Sequence, residues 1–269
     1  MVLSALRAPR DKDPRALVPA KIVKDAIRRL LPRRPRPHRI LSGPLRGRRI
    51  VTSWHDYPAA ILGRTELALI TWLQINVRPG ETWLDVGAHY GYTAIALSEL
   101  VGPEGRVFAF EPVLSTAGQL SLTRGLNHFD QLTVVPMGLD DSTAIRPMSV
   151  PTTRGMASHL NGATVPYDTI YLAGFEAIWD ALAAGRPEIH GVKVDVQGME
   201  IAVLRGMAKY LKVCQPKVIV ELHSGVDRKA LLSALTDIGY APNGIALDPL
   251  PDEVSPAYHD DRSYLFTTP

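Results

Sequence analysis

The chain has 269 residues, is 46% hydrophobic and 21% charged, and carries a net charge of +3. That is enough apolar material for one large α/β domain or two small ones. No run approaches the roughly eighteen apolar residues of a membrane span, no apolar stretch with a small-residue cleavage site marks a signal peptide, and the single Cys214 has no internal disulfide partner. Membrane-spanning and disulfide-scaffold proteins are excluded on this reading, and a soluble cytoplasmic protein is expected.

Charge divides the chain. Residues 1–50 carry fifteen Lys or Arg against three Asp, whereas residues 51–269 carry fifteen against twenty-four Asp or Glu. A basic N-terminal extension over 1–50 and an acidic domain over 51–269 follow. The arm, with Arg33-Arg34-Pro-Arg36-Pro and Arg46-Gly-Arg48-Arg49, has the charge to touch nucleic acid or an anionic surface. It has no aromatic before Trp54 for base stacking, and its prolines interrupt an amphipathic helix. A solvated, partly disordered extension is the favoured reading.

Apolar residues at helical spacing predict a helix over 64–77, ended by Pro79-Gly80. The run Trp83, Leu84, Val86 predicts a strand over 82–86 covered on both faces, and Gly87 and Gly91 bracket a turn into a helix through 93–101. Glycine lets a backbone approach a ligand, and free N–H groups at a helix start favour an anion. Asp85 sits at the carboxyl end of its strand, where open α/β sheets bind ligands, and would suit a cationic one. A second strand over 106–110 ends in Glu111 and is stopped by Pro112. Its distance from the first is the offset at which such folds set an acid against ribose hydroxyls. A helix over 114–127 and a strand over 131–136 come next.

The segment 140–187 reads as a long loop holding a helix over 175–184, suited to a lid or acceptor pocket at the carboxyl edge. Its His159 reads as a surface residue sooner than a base. Strands over 189–196 and 216–223 flank a helix over 199–212. On the first of these Lys193 and Asp195 share one face, and on the second Glu221 and His223 do. Buried charges need partners, and a Lys193–Glu221 ion pair competes with direct catalysis. A helix over 227–238 and closing strands over 240–247 and 263–267 complete a pattern that implies a parallel sheet with right-handed crossovers. Cys214, near the end of the helix after the fourth strand, reads as a structural thiol.

The turn is not the three-glycine dinucleotide fingerprint, and the Walker lysine-hydroxyl pair is missing. S-adenosylmethionine has no phosphate but has a sulfonium, a ribose and an amino-acid end, and matches one carboxylate beside the turn and another on the ribose. The residues that hold it would be Asp85, Gly87, Ala88, His89, Gly91, Glu111 and Pro112.

Asp85-Val-Gly-Ala, Phe110-Glu111-Pro112 and Lys193-Val-Asp195-Val-Gln197-Gly198-Met-Glu200 followed by Val203-Leu204-Arg-Gly206 resemble the FkbM family of S-adenosylmethionine-dependent methyltransferases, over roughly residues 60 to 223. The resemblance implies the class I methyltransferase fold, a seven-stranded, mostly parallel sheet with helices on both faces. It implies methylation of a hydroxyl on a sugar, polyketide or similar small molecule, and an adenine contact near Asp140, whose segment also reads as a plain turn. Two positions depart from the family's pattern. His89 stands where the loop usually reads Gly-Ala-Asn, and Gln197 where the later motif usually reads Asp-x-Glu-Gly.

Methyl transfer is an in-line displacement, so holding donor and acceptor close and collinear supplies much of the rate. An alcohol must also lose a proton. Position favours Asp195 as base, intrinsic pKa favours His223, and Lys193 completes the catalytic set. A divalent metal held by Asp195, Glu200 and Glu221 stays open as an alternative activator, with Glu200 equally placed to favour a helix dipole. Competing readings are a nucleic-acid methyltransferase using the arm, a module that binds the cofactor without chemistry, and, more distantly, an NAD-dependent oxidoreductase.

Overall fold

The computed structural model describes residues 30–149, 167–185, 187–251, 253 and 257–269. Among the described residues the first strands form a hairpin, β1 (Arg36–Arg39) and β2 (Arg49–Thr52), followed by α1 (Pro58–Leu62) and α2 (Leu67–Asn76). The alternation then begins: β3 (Thr82–Val86), α3 (Tyr92–Val101), β4 (Arg106–Phe110), α4 (Leu114–Asn127) and β5 (Leu132–Val135). Three short strands follow, β6 (Gly138–Leu139), β7 (Ala144–Ser149) and β8 (Tyr167–Ala173), before α5 (Phe175–Leu182) and β9 (Gly191–Val194). The chain closes with α6 (Glu200–Gly206), α7 (Ala208–Cys214), β10 (Lys217–Leu222), α8 (Arg228–Asp237), β11 (Ile245–Ala246) and β12 (Arg262–Phe266).

Seven strands form the main sheet in the order β11-β12-β10-β9-β3-β4-β5. β10, β9, β3, β4 and β5 are parallel, and β12 lies antiparallel between β10 and β11. This is the seven-stranded, mostly parallel sheet that the family resemblance implies.

Alternation along each strand builds two cores. Leu84, Val86, Val192, Val194, Val218 and Val220 face Phe175, Trp179, Leu204 and Leu231 from α5, α6 and α8. On the other face Trp83, Val107, Ala109 and Ile219 meet Ile70, Ile95 and Leu120 from α2, α3 and α4. Between Trp83 and the carboxyl edge on that second face sits Asp85, in register with Lys193 of β9. The period of two thus puts the charges of β3 and β9 on one face, at the end where the strands stop.

Four expectations change. The boundary at residue 50 falls inside β2, because Ile40, Leu45 and Ile50 of the hairpin are buried in the second core. Arg48 of the expected arm pairs with Glu99 on α3 at 2.6 Å. The segment expected as a long loop carries β7 and β8, which join β6 in a three-stranded sheet of order β6-β8-β7, while His159 lies outside the described residues. The single helix expected over 199–212 is two helices meeting at Met207, and the closing strand expected over 240–247 is confined to Ile245–Ala246. Asp227 caps α8, its side chain accepting from the N–H groups of Lys229 and Ala230. No helix among the described residues is long and apolar enough to cross a membrane.

Candidate active site

A cavity of about 370 Å³ opens at the carboxyl edge of β3, β4, β9 and β10. Its floor is the turn Gly87-Ala88-His89, its side the tip Glu111-Pro112-Val113, and its far wall Lys193, Asp195, Gln197 and Glu221. Asp56, Tyr57, Thr65 and Glu66 from the segment around α1 cover it, and Met148, Ile170 and Leu172 of the small sheet give it an apolar wall.

The turn is built differently from the expectation. Gly87 and Ala88 donate their N–H groups to the carbonyl of Phe110 at 3.0 and 2.9 Å, and Gly91 donates to that of Ala88 at 2.8 Å. These N–H groups are satisfied within the protein and are not open to an anion. The glycines answer to packing. At Gly87 (φ 85°) a Cβ would overlap the carbonyl oxygen of Asp195, and at Gly91 (φ 89°) it would overlap Leu120. Gly91 caps α3 without lining the cavity.

Glu111 is buried with both oxygens engaged. Oε2 accepts from the N–H of His89 at 2.9 Å and Oε1 from that of Val113 at 2.9 Å. A carboxylate has about four lone-pair sites, so each oxygen keeps room for a hydroxyl donor. Burial pushes its pKa up to about 7, against the two backbone donors. His89 has φ 50°, the left-handed region in which Asn, Asp and His are the enriched non-glycine residues. This accounts for a histidine where the family's pattern has Asn.

Asp85 does not line the cavity. It is fully buried, and its Oδ1 lies 3.3 Å from the Lys193 ammonium. Lys193 also donates to Asp195 Oδ2 at 3.0 Å and to the Gly87 carbonyl at 3.4 Å. The expected Lys193–Glu221 pair is replaced by pairing with Asp85 and Asp195. Burial opposes the Lys193 charge, but the carboxylates of Asp195, Asp85, Glu66 and Glu221 outweigh it and hold the pKa well above the usual lysine value. Burial likewise works against ionised Asp195, yet Lys193 and His223 win and its pKa is lowered.

Asp140 is buried beneath the cavity edge with Oδ2 3.1 Å from Arg146 and Oδ1 accepting from the N–H of Asp141 at 2.8 Å. It is outside the lining, whereas its neighbours Gly138 and Leu139 belong to it. The Asp140 side chain is thus engaged by Arg146 and by its own turn.

Sequence reasoning missed Glu66, Tyr57 and the role of Glu200. Glu66 precedes α2 with φ 52°, and its pKa is raised, chiefly by burial. Only a tertiary fold brings it to strands far along the chain, so no sequence signal marked it. Glu200 is fully buried, and its Oε1 accepts from the N–H of Gly198 at 3.0 Å and from His223 Nδ1 at 2.7 Å. A carboxylate only accepts, so Nδ1 is the protonated nitrogen. His223 Nε2 lies 2.7 Å from the Gln197 amide nitrogen, 3.3 Å from Asp195 Oδ1 and 3.6 Å from Glu221 Oε1. Burial opposes a charged ring here, but the Glu200 hydrogen bond and the carboxylates of Asp195, Glu200 and Glu221 raise the His223 pKa. Burial and the neighbouring Asp195 and Glu66 push Glu221 up to about 8.

Asp195, Glu221 and His223 hold their donor atoms within 4.8 Å of one another. Glu200, counted from the sequence as an oxygen donor to a metal, is turned to Gly198 and His223 instead. Asp195 Oδ2 is taken by Lys193 and His223 Nε2 faces the Gln197 amide, so the group is arranged around protons and an ammonium.

A family model described as the methyltransferase FkbM domain matches residues 85–242. Hexuronic acid methyltransferase AglP of Haloferax volcanii is 29% identical over 178 residues, which cover 65% of this chain and 69% of that protein. Among solved structures, methyltransferase FkbM from Methylobacillus flagellatus KT aligns with a TM-score of 0.49 at 18% identity, over 73% of this chain and 50% of that one. The chain thus spans half the length of that structure. Aeropyrum pernix fibrillarin with natively bound S-adenosyl-L-methionine aligns with a TM-score of 0.48 at 16% identity, over 88% of this chain and 89% of that one.

Proposed function

The chain belongs to the FkbM methyltransferase domain family, and on that premise we propose that it carries a methyl group from S-adenosylmethionine to a hydroxyl of a small metabolite, a sugar or secondary-metabolite scaffold. The observation that carries this reading is the acid excess around the cavity. Glu66, Glu111, Asp195 and Glu221 line it, and Lys193, its one lining Lys or Arg among the described residues, is already engaged by Asp85 and Asp195. Buried carboxylates in such excess suit a ligand that brings positive charge.

S-adenosylmethionine, when bound, supplies an electrophilic methyl on a positive sulfur. Glu111 would accept the ribose hydroxyls, the Gly87-Ala88-His89 backbone would form the floor beneath the amino-acid end, and the carboxylates of Glu66 and Asp195 would face the cationic groups. Met148, Ile170 and Leu172 would cover apolar surface and exclude water. The Haloferax volcanii relative is named for hexuronic acid, which supports a sugar hydroxyl as acceptor. Of the two candidate bases His223 is the better proton acceptor, because Asp195 is held ionised by Lys193 with a lowered pKa.

Calorimetric titration with S-adenosylmethionine, S-adenosylhomocysteine and NAD tests the donor site. Micromolar binding of both sulfur ligands, lost in Glu111→Ala, is the expected result. Binding of NAD alone, or of none of the three, would remove the reading.

A further inference from the structure

We infer that Glu200 is a positioning residue that fixes His223 in its Nδ1–H tautomer, so that the Nε2 lone pair is directed toward the cavity edge, where Gln197 holds the place of an acceptor hydroxyl. The inference rests on the methyl-transfer reading above and adds to it a residue that touches no substrate.

The geometry is specific. Glu200 is the first residue of α6, fully buried, and the N–H of Gly198 holds the same oxygen that receives the His223 proton. The carboxylate is therefore anchored by backbone before it meets the ring. Its partner is fixed as well: the His223 carbonyl accepts from Arg228 Nη1 of α8 at 2.9 Å. With the proton on Nδ1, the neutral ring can only accept at Nε2, and the Gln197 amide donates to it at 2.7 Å. Gln197 lines the cavity, whereas His223 lies directly behind it. An acceptor O–H that takes the amide's place makes the same hydrogen bond.

A glutamate in place of Gln197 would bring lone pairs against Nε2 and force a proton onto it. The glutamine departure thus sets an amide donor, and not a further carboxylate, against Nε2, so that this nitrogen accepts whenever the ring is neutral. In the transfer the acceptor O–H proton passes to Nε2 while an oxygen lone pair forms the O–CH₃ bond. The S–CH₃ electron pair returns to sulfur, leaving S-adenosylhomocysteine and an imidazolium. Glu200 from α6, Asp195 just after β9, Glu221 from β10 and Glu66 before α2 are the carboxylates around that ring, and the cations are Lys193 of β9, paired with Asp195, and Arg228 of α8, at the His223 carbonyl. Four carboxylates against these two cations favour the imidazolium that forms.

The test uses the full chain labelled with ¹⁵N-histidine and saturated with S-adenosylhomocysteine, its binding measured by calorimetry on the same samples. Long-range ¹H–¹⁵N spectra are recorded from pH 5 to 10, with His223 assigned by loss of its signals in His223→Asn. The expected result is a neutral ring with a protonated Nδ1 and a pyridine-type Nε2. In Glu200→Gln a mixture of tautomers and a fall in the His223 pKa of about one unit, a tenfold weaker proton affinity, are expected. A protonated Nε2 in the neutral wild-type ring overturns the inference without any variant needing to fold. An unchanged tautomer and pKa in folded Glu200→Gln does the same. If the wild-type protein binds no S-adenosylhomocysteine, the methyl-transfer reading falls and this inference with it, whereas the two spectroscopic failures leave cofactor binding intact.

Discussion

At the scale of single residues, what packs over a strand end decides what its side chain does. Gly87 and Gly91 read as places where a ligand nears the backbone, yet their missing Cβ atoms make room for Asp195 and Leu120. Asp85 read as a ligand carboxylate, yet it is a buried counter-ion of Lys193. Glu111 keeps its assigned position at the cavity, and its environment makes a pH-dependent prediction. Its pKa is held up to about 7 by burial, and ribose hydroxyls need the lone pairs of the ionised form. Affinity for S-adenosylhomocysteine therefore rises with pH through that range, by about tenfold between pH 6 and pH 8. Calorimetry over this range checks it, and Glu111→Gln should bind more weakly and lose the dependence. Neither effect was readable beforehand, because spacing along a chain reports which residues lie at a strand end and not what packs over them.

At the scale of elements, close approach is what the glycines permit. A Cβ on Gly191 of β9 would overlap the indole of Trp83 on β3, whose Nε1 donates to Glu81 at 2.8 Å. Gly191→Ala should cost about 1–3 kcal/mol by overpacking and lower the melting temperature by several degrees. Gly118, exposed on α4 with open space around its Cβ position, is the control. There an alanine should stabilise by about 0.5–1 kcal/mol, and thermal unfolding of both variants checks the contrast. Gly206 of the family motif is a third case, since its Cβ would overlap the carbonyl of Asp140. The motif's glycine therefore sets how α6 lies against the turn after β6, and with it where Glu200 meets His223. The β6-β8-β7 sheet escaped the sequence reading because its pairing joins segments far apart along the chain.

At the scale of the whole molecule, charge and fold divide the chain differently. The net charge changes sign near residue 50, but the body begins earlier, with the hairpin that buries Ile40, Leu45, Ile50 and Val51. Burying one such side chain contributes about 1.5–3 kcal/mol. Deleting residues 1–52 should therefore lower the melting temperature by more than about 10 °C or leave the protein insoluble. Replacing the exposed Arg33, Arg34 and Arg36 with serine should leave it within about one degree, since isolated surface charges contribute little. Scanning calorimetry of the two variants separates a structural hairpin from a dispensable basic tail.

The sequence by itself determined the sheet, because buried parallel strands and the helices between them are written in local apolar runs that each segment carries alone. It also determined where the cavity would open, since Asp85, Glu111, Asp195 and Glu221 all fall at strand carboxyl ends. Only the tertiary structure decided which of these acids faces the cavity and which is spent on an internal pair. It alone brought Glu66 across from the start of α2, and it alone turned Glu200 from a helix-start carboxylate into the partner of His223. The physical reason is that a side chain's direction and its burial against distant neighbours set its charge state, and these depend on elements that meet only after the chain has folded.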